Sequence, residues 1–362
     1  MTALAAKLDA ALAPATAPPL LTVRGLAKHF PVGRTLLGGG ALVRAVDGVD
    51  FDVMPGETLG VVGESGCGKS TVARLAMHLM EPTAGQLLFD GKPVGSPELP
   101  LREFRRQVQM VFQDSYASLN PRLTVEGSIA FGPEVHGLGR RESMARAHEL
   151  LRRVGLEPSR FAGRYPHELS GGQRQRVNIA RALAFEPRLL ILDEAVSALD
   201  KSVEAQVLNL LLDLKDAFRL TYIFISHDLD VVRFMADRVL VMYLGRIAEL
   251  GPSDSVLETP AHPYTRALLA SVPSMDPKNR IREAPLAGDP PNPINPPSGC
   301  RFHPRCALAE DVCSRLEPVL AASAGRHPVA CHAVVAGSGH SRAPAPALEA
   351  RAKATMPSGA AR

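Results

Sequence analysis

GESGCGKS, residues 63–70, fits the pattern G-x-x-x-x-G-K-[ST] in full. It lies between an apolar run, TLGVVGE (58–64), and a run with helical periodicity, STVARLAMHLM (70–80). That context is the one in which the pattern makes a phosphate-binding loop. Gly63, Gly66 and Gly68 let the backbone wrap an anion with its N–H groups turned inward, and the helix that follows adds its positive end. Lys69 would reach the β- and γ-phosphates and Ser70 would offer a hydroxyl to Mg²⁺, with Glu64, Ser65, Cys67 and Thr71 completing the cradle for ATP. Cys67 reads as a small filler. As a thiol at a helix start it could also carry a lowered pKa, in which case alkylation would block nucleotide binding and ATP would protect.

A second constellation closes LLILDE (189–194), an apolar strand that delivers two acids at its end. Asp193 suits Mg²⁺, held through its water shell, and Glu194 suits a general base that activates water for attack on a phosphate. A third is LSGGQRQR (169–176). Ser170 is a good helix N-cap, and Gly171 and Gly172, before Gln173, leave N–H groups at a helix start free to meet an anion.

The fourth is GCRFHPRCALAEDVC (299–313), with a further Cys331. Four of the chain's 5 cysteines, Cys300, Cys306, Cys313 and Cys331, fall here. Cys67 stands alone, as in a reducing cytoplasm, where disulfides are rare. Four thiols on a short, weakly apolar segment suit a metal that replaces a missing core. Tetrahedral zinc and a [4Fe–4S] cluster are the candidates, although the close C-x₂₋₄-C spacing of zinc sites is absent. His303 and His332 flank the site as bystanders.

The elements that must position these groups alternate. Strand-like patterns fill 20–57, QLLFDGKPV (86–94) reads as a hairpin about Asp90-Gly91, residues 140–185 are largely helical, and TYIFIS (221–226) is another strand apolar on both faces. Buried strands between helices mean an α/β core with a parallel sheet. Residues 1–19 read as a disordered lead, 285–297 as a proline-rich connector after a composition break near Ala261, and 336–362 as a disordered tail. A formal charge of +4 with 5% aromatics gives no ground for nucleic-acid binding, and no apolar run is long enough to span a membrane.

With LSGGQ at residues 169–173, the chain resembles the nucleotide-binding subunits of ABC transporters over residues 20–262, with a helical subdomain at about 115–185. The fold this implies is α/β, a P-loop cassette with a RecA-like core, an N-terminal antiparallel β subdomain and a helical signature subdomain. The resemblance gives Phe30 the stacking place on adenine, Gln113 the sensing of Mg²⁺ and of the membrane subunit, Asp200 in SALD (197–200) the dimer-crossing loop, and His227 the contact with the γ-phosphate. It also implies that Ser170–Gln173 of one chain closes over ATP held by another. Two residues depart from the family pattern: Ala195 stands where proline is usual, and Lys201 where a small apolar residue is common.

YASLNPRLTV (116–125), AHPYTRALLASVP (261–273) and NPPSGCRFHPRC resemble the dipeptide and oligopeptide importer group, which nickel importers share, and its second-ATPase type in particular. Residues 263–335 then match that group's C-terminal extension, in which some members hold a [4Fe–4S] cluster, so the cluster is preferred to zinc. The resemblance implies a peripheral subunit on the cytoplasmic face of the cell membrane. Its partners would be a second, non-identical ATPase, two permease subunits and an extracytoplasmic binding protein. A soluble ABC ATPase of repair or translation and a non-hydrolysing cassette are the rivals. The first lacks room here for a coiled-coil insertion or a second cassette, and the second should lack Glu194 or His227.

Overall fold

The computed structural model describes residues 18–33, 40–272, 288–289, 291–322 and 327–344. Outside them lie the expected lead as far as residue 17, residues 34–39, part of the proline-rich connector (285–287 and 290) and the expected tail from 345.

Four strands form an antiparallel sheet in the order β2-β1-β4-β5: β1 (Leu21–Val32), β2 (Ala41–Val53), β4 (Ala84–Phe89) and β5 (Lys92–Pro93). The sequence pattern suggests short strands here, yet β1 and β2 run for 12 and 13 residues. Register shifts between Val23 and Leu26 and between Lys28 and His29, with Gly25 at φ 56, break the period-two alternation that would have revealed their length.

The larger sheet has the order β11-β12-β10-β9-β3-β8-β7-β6. Its strands are β3 (Thr58–Val62), β6 (Val108–Val111), β7 (Leu189–Asp193), β8 (Thr221–Ile225), β9 (Arg238–Tyr243), β10 (Arg246–Pro252), β11 (Ala321–Ala322) and β12 (Pro328–Val329). The pairs among β9, β3, β8, β7 and β6 are parallel. Every residue of β3, β7 and β8 is buried, which is why these runs are apolar on both faces. Side chains on one face of the sheet, such as Leu190, Leu192, Tyr222 and Phe224, join the core shared with the helices. Those on the other, such as Ile191, Ile223 and Ile225, pack with the smaller sheet.

Helix α1 (Lys69–Ala76) leaves the loop after β3, and α2 (Leu101–Gln107) precedes β6. Between β6 and β7 come α3 (Val125–Val135), α4 (Arg140–Arg153), α5 (Pro158–Phe161) and α6 (Gly171–Leu183). Thr124 caps α3 by accepting from the Gly127 N–H at 3.2 Å. Then follow α7 (Lys201–Phe218), α8 (Leu229–Met235), α9 (Ser253–Glu258), α10 (Pro263–Ala270) and α11 (Asp311–Arg315). No helix among the described residues is long and apolar enough to cross a membrane.

The C-terminal segment adds its strands to the edge of the larger sheet, with Val329 opposite Glu249. Residues 336–344 correct the expected tail, because they fold back onto this segment. His340 is buried and its Nε2 meets the Leu308 carbonyl at 2.8 Å, while the Ser341 N–H donates to Glu310 at 2.9 Å. Composition hid this order, since the contacts are made by single polar side chains and not by an apolar run.

Candidate active site

The C-terminal ends of β3, β7 and β8 converge, and ligands of open parallel sheets bind at such strand ends. The loop after β3 holds Gly63 at φ 148 and Gly68 at φ 111. A side chain on Gly63 would place its Cβ 2.3 Å from the Met242 carbonyl oxygen, and one on Gly68 the same distance from that of Ala45. Only glycine fits there, because neighbouring backbone presses on the loop. Lys69, buried at the start of α1, curls back and donates to the carbonyls of Gly63 at 2.7 Å and Glu64 at 3.0 Å. Ser65 and Gly66 stand exposed at the loop's tip, and Thr71 is half-buried on α1.

Ser70 Oγ donates to Asp193 Oδ1 at 3.0 Å. Burial pushes the Asp193 carboxyl up, the Ser70 hydrogen bond opposes this, and the neighbouring Glu194 charge adds to it. A divalent cation held by Ser70 and Asp193 would relieve that cost. Gln113 belongs to the expected Mg²⁺ set, but its amide Nε2 lies 2.8 Å from Glu194 Oε2, with the other proposed catalytic groups. His227 Nδ1 stands 3.6 Å from the same oxygen. Glu194 has φ 48, a left-handed conformation strained for a residue with a Cβ, and its N–H is fixed on the Ile225 carbonyl at 3.0 Å.

Of the two readings of Cys67, its burial fits the small filler and not the reactive thiol. It is 3% exposed, and burial raises its thiol pKa despite nearby Lys69. Position at a helix start suggested a reactive thiol, but the side chain points into the core with Val61 and Met242.

Ser170 caps α6 with a reciprocal box: the Gln173 N–H donates to Ser170 Oγ at 3.3 Å, and the Ser170 N–H to Gln173 Oε1 at 3.0 Å. Ser170 is exposed, Gly171, Gly172 and Gln173 are half-buried, and no hydrogen bond joins this group to the phosphate loop among the described residues. Asp200, exposed, begins α7. Lys201 then reaches Glu204 at 3.0 Å and Asp228 at 2.8 Å, tying the SALD loop to the residue after His227. Phe30 is half-buried on β1 opposite Val43, with the Lys28 ammonium 5.5 Å from its ring. Ala195 is buried.

Cys300, Cys306, Cys313 and Cys331 form no disulfide and line one pocket. Burial, then the other thiols, pushes Cys300 up to about 12 and Cys331 up to about 11, so as free thiols they stay protonated at neutral pH. No group of three or more His, Cys, Asp or Glu among the described residues is arranged to hold a metal ion. His303 Nδ1 meets the Cys300 carbonyl at 2.9 Å and His332 Nε2 that of Leu316 at 2.9 Å, each occupied with backbone.

The partners of Glu64 are not legible in the sequence. The Glu64 N–H donates to the Tyr264 hydroxyl at 2.8 Å, and its carboxylate meets Arg305. No pattern in the sequence flags a pairing across 241 residues.

A glycine loop with Lys69 and Ser70 after one parallel strand, and acids after the next but one, define a P-loop nucleotide-hydrolysing cassette. A family described as ABC transporter matches residues 46–197, and one described as Oligopeptide/dipeptide transporter, C-terminal region, matches residues 248–313. The Probable peptide ABC transporter ATP-binding protein y4tS of Sinorhizobium fredii is 54% identical over 86% of this chain and 89% of its own length. The Oligopeptide transport ATP-binding protein AppF of Bacillus subtilis is 50% identical, and the Di/tripeptide transport ATP-binding protein DppF of Pseudomonas aeruginosa 49%, each over 86% of this chain and 97% of its own. Among solved structures, cbiO1 from Clostridium perfringens, part of the cbiONQ transporter complex, has a TM-score of 0.58 at 30% identity, covering 67% of this chain and 92% of that one. The cassette MJ0796 bound to ADP and Pi has 0.56 at 28%, covering 64% and 98%. The chain belongs to the ATP-binding proteins of ABC transporters, in the group that carries the oligopeptide/dipeptide C-terminal region.

Proposed function

We propose that this chain is the ATP-hydrolysing motor of a membrane importer of di- and oligopeptides. The observation that carries the catalytic part is the convergence of Gln113 and His227 on one oxygen of Glu194, beside the Ser70–Asp193 pair. Glu194 takes the proton of the attacking water, His227 contacts the γ-phosphate, Gln113 senses Mg²⁺ and the membrane subunit, and Lys69 turns from loop carbonyls to phosphate oxygens. Mg²⁺, when bound by Ser70, Asp193 and Gln113, neutralises charge on the transferred phosphoryl group. Phe30 stacks on adenine. Ser170–Gln173 and Asp200 serve the site of a facing ATPase, which fits the exposure of Ser170 and Asp200 and the group's separation from this chain's own phosphate loop. The peptide cargo is supported by the names of the relatives and by the matching C-terminal region.

The working unit pairs this chain with a non-identical ATPase, two permeases and a binding protein, at the cytoplasmic face of the membrane. A cavity of about 270 Å³ lined by Leu79, Phe112, Phe131 and Phe185 lies between the core and the helical region. Leu79 and Phe131, which line it, are 45% and 58% exposed, an apolar surface suited to a permease helix. We divide the chain into a lead (1–19), the cassette (20–262, helical part about 115–185), the extension (263–335) and the tail (336–362), with the first residues of that tail serving the extension. In the extension, Cys300, Cys306, Cys313 and Cys331 hold a [4Fe–4S] cluster, with zinc as the alternative. Shared lining of one pocket and an all-thiol donor set support this, and the pocket would have to adjust, since no metal-holding group is formed in it. The bound metal supplies a structural staple.

ATP turnover by the assembled transporter, with and without peptide-loaded binding protein, tests the reading. Stimulation by the loaded protein supports it. Stimulation by a nickel complex and not by peptide would favour a nickel or other small-solute importer. Turnover indifferent to the permeases would favour a soluble ABC ATPase.

A further inference from the structure

Arg305 forks onto Glu64, the second residue of the phosphate loop, with Nη1 at 2.8 Å from Oε2 and Nη2 at 3.1 Å from Oε1. The two side chains are 6% and 20% exposed. Arg305 also donates to the Tyr243 hydroxyl at 3.3 Å and the Gly288 carbonyl at 3.0 Å. Glu64 is therefore held twice from the C-terminal segment, by Arg305 at its carboxylate and by Tyr264 at its N–H. Phe302 lies on the same short segment and packs edge-on against Tyr243, with Tyr264 5.4 Å away. Arg301 reaches in the same direction, to the Leu244 carbonyl and to Asp47, which also holds His29, the neighbour of Phe30.

A loop that must receive a polyphosphate here contains a carboxylate. Alongside burial, the Glu64 charge is among the groups that raise the Cys67 thiol, so it is felt inside the loop. A bidentate guanidinium cancels that charge and fixes the direction of the carboxylate. Without it, a part-buried anion would face the incoming phosphates unpaired.

We propose that Arg305 is a positioning residue for nucleotide binding, neutralising Glu64 within the phosphate loop and making the C-terminal segment a working part of the ATP site. This rests on the ATP-binding reading above. Equilibrium titration of the full chain with Mg²⁺ and a fluorescent ATP analogue tests it, using Arg305→Ala, Glu64→Gln, the double variant, and Arg315→Ala as a control on an exposed pair with Asp311. Arg305→Ala is expected to weaken binding by about tenfold, a modest charge effect. Arg315→Ala should leave it unchanged. The double variant should bind within about twofold of Glu64→Gln alone and more tightly than Arg305→Ala, because no unpaired carboxylate remains. A packing role would give no such recovery. Should Arg305→Ala unfold, Arg305→Lys with and without Glu64→Gln carries the same comparison. Wild-type affinity in Arg305→Ala, or a double variant as weak as Arg305→Ala, overturns the proposal. Failure of the wild-type chain to bind the nucleotide would instead remove the ATP reading itself, and the proposal with it.

Discussion

The side-chain amide of Gln113 donates to Glu194 Oε2 at 2.8 Å, joining the end of β6 to the end of β7. The proposed base is thus already in contact with a residue placed between the core and the helical region. Movement of that region would shift Gln113 and change what Glu194 can bind, which gives a direct route from a docked membrane subunit to the reacting oxygen.

Glu194→Gln keeps the shape of this contact but removes the basic oxygen. ATP turnover should fall by roughly 10²–10⁴-fold, the usual worth of a positioned general base. The dissociation constant for ATP should stay within about twofold, since Lys69 and the loop are untouched. Single-turnover hydrolysis and equilibrium binding on the same preparation check this. Undiminished turnover would remove Glu194 as the base.

Cys67 is expected to resist iodoacetamide in the folded chain and to react in urea. Mass spectrometry of the labelled loop peptide reads this. Rapid labelling under native conditions, with ATP protecting, would restore the reactive-thiol expectation that burial argues against.

That thiol illustrates what the sequence can and cannot show. Spacing along the chain located Lys69, Ser70, Asp193 and Glu194, because a loop and two strand ends dictate them locally. Buried strands were visible because burial on both faces writes an unbroken apolar run, as in β7 and β8. The lengths of β1 and β2 were hidden by bulges, and the direction of the Cys67 side chain by the packing of β9 against the loop. Arg305 and Glu64 were invisible as a pair, since an ion pair between distant segments leaves no local period.

Asp47 is half-encircled by cations. Burial raises its carboxyl, but the His29 hydrogen bond and the charges of Arg301 and Arg246 outweigh this and hold it below its usual range. A carboxyl depressed on folding contributes stability that is present above its unfolded pKa of about 4 and is lost as pH falls through the folded value. Urea midpoints should therefore decline on acidification below about pH 4. Asp47→Asn should lower the midpoint near neutrality and flatten that decline. An acid limb unchanged in Asp47→Asn would assign it to other groups.

Protein purified without oxygen is expected to contain about four iron and four sulfide per chain, lost or reduced in Cys300→Ser. One zinc per chain would leave the four thiols as a metal staple of the alternative kind. Neither metal would leave the pocket as a cluster of four cysteines that holds no metal.

Uptake of a labelled dipeptide by cells deleted for this chain, which retain its natural partners, addresses the motor assignment most directly. The expected result is loss of uptake on deletion, recovery with the wild-type chain, and no recovery with Glu194→Gln expressed to the same level. Uptake that survives deletion with its rate unchanged, or that Glu194→Gln restores in full, would contradict it.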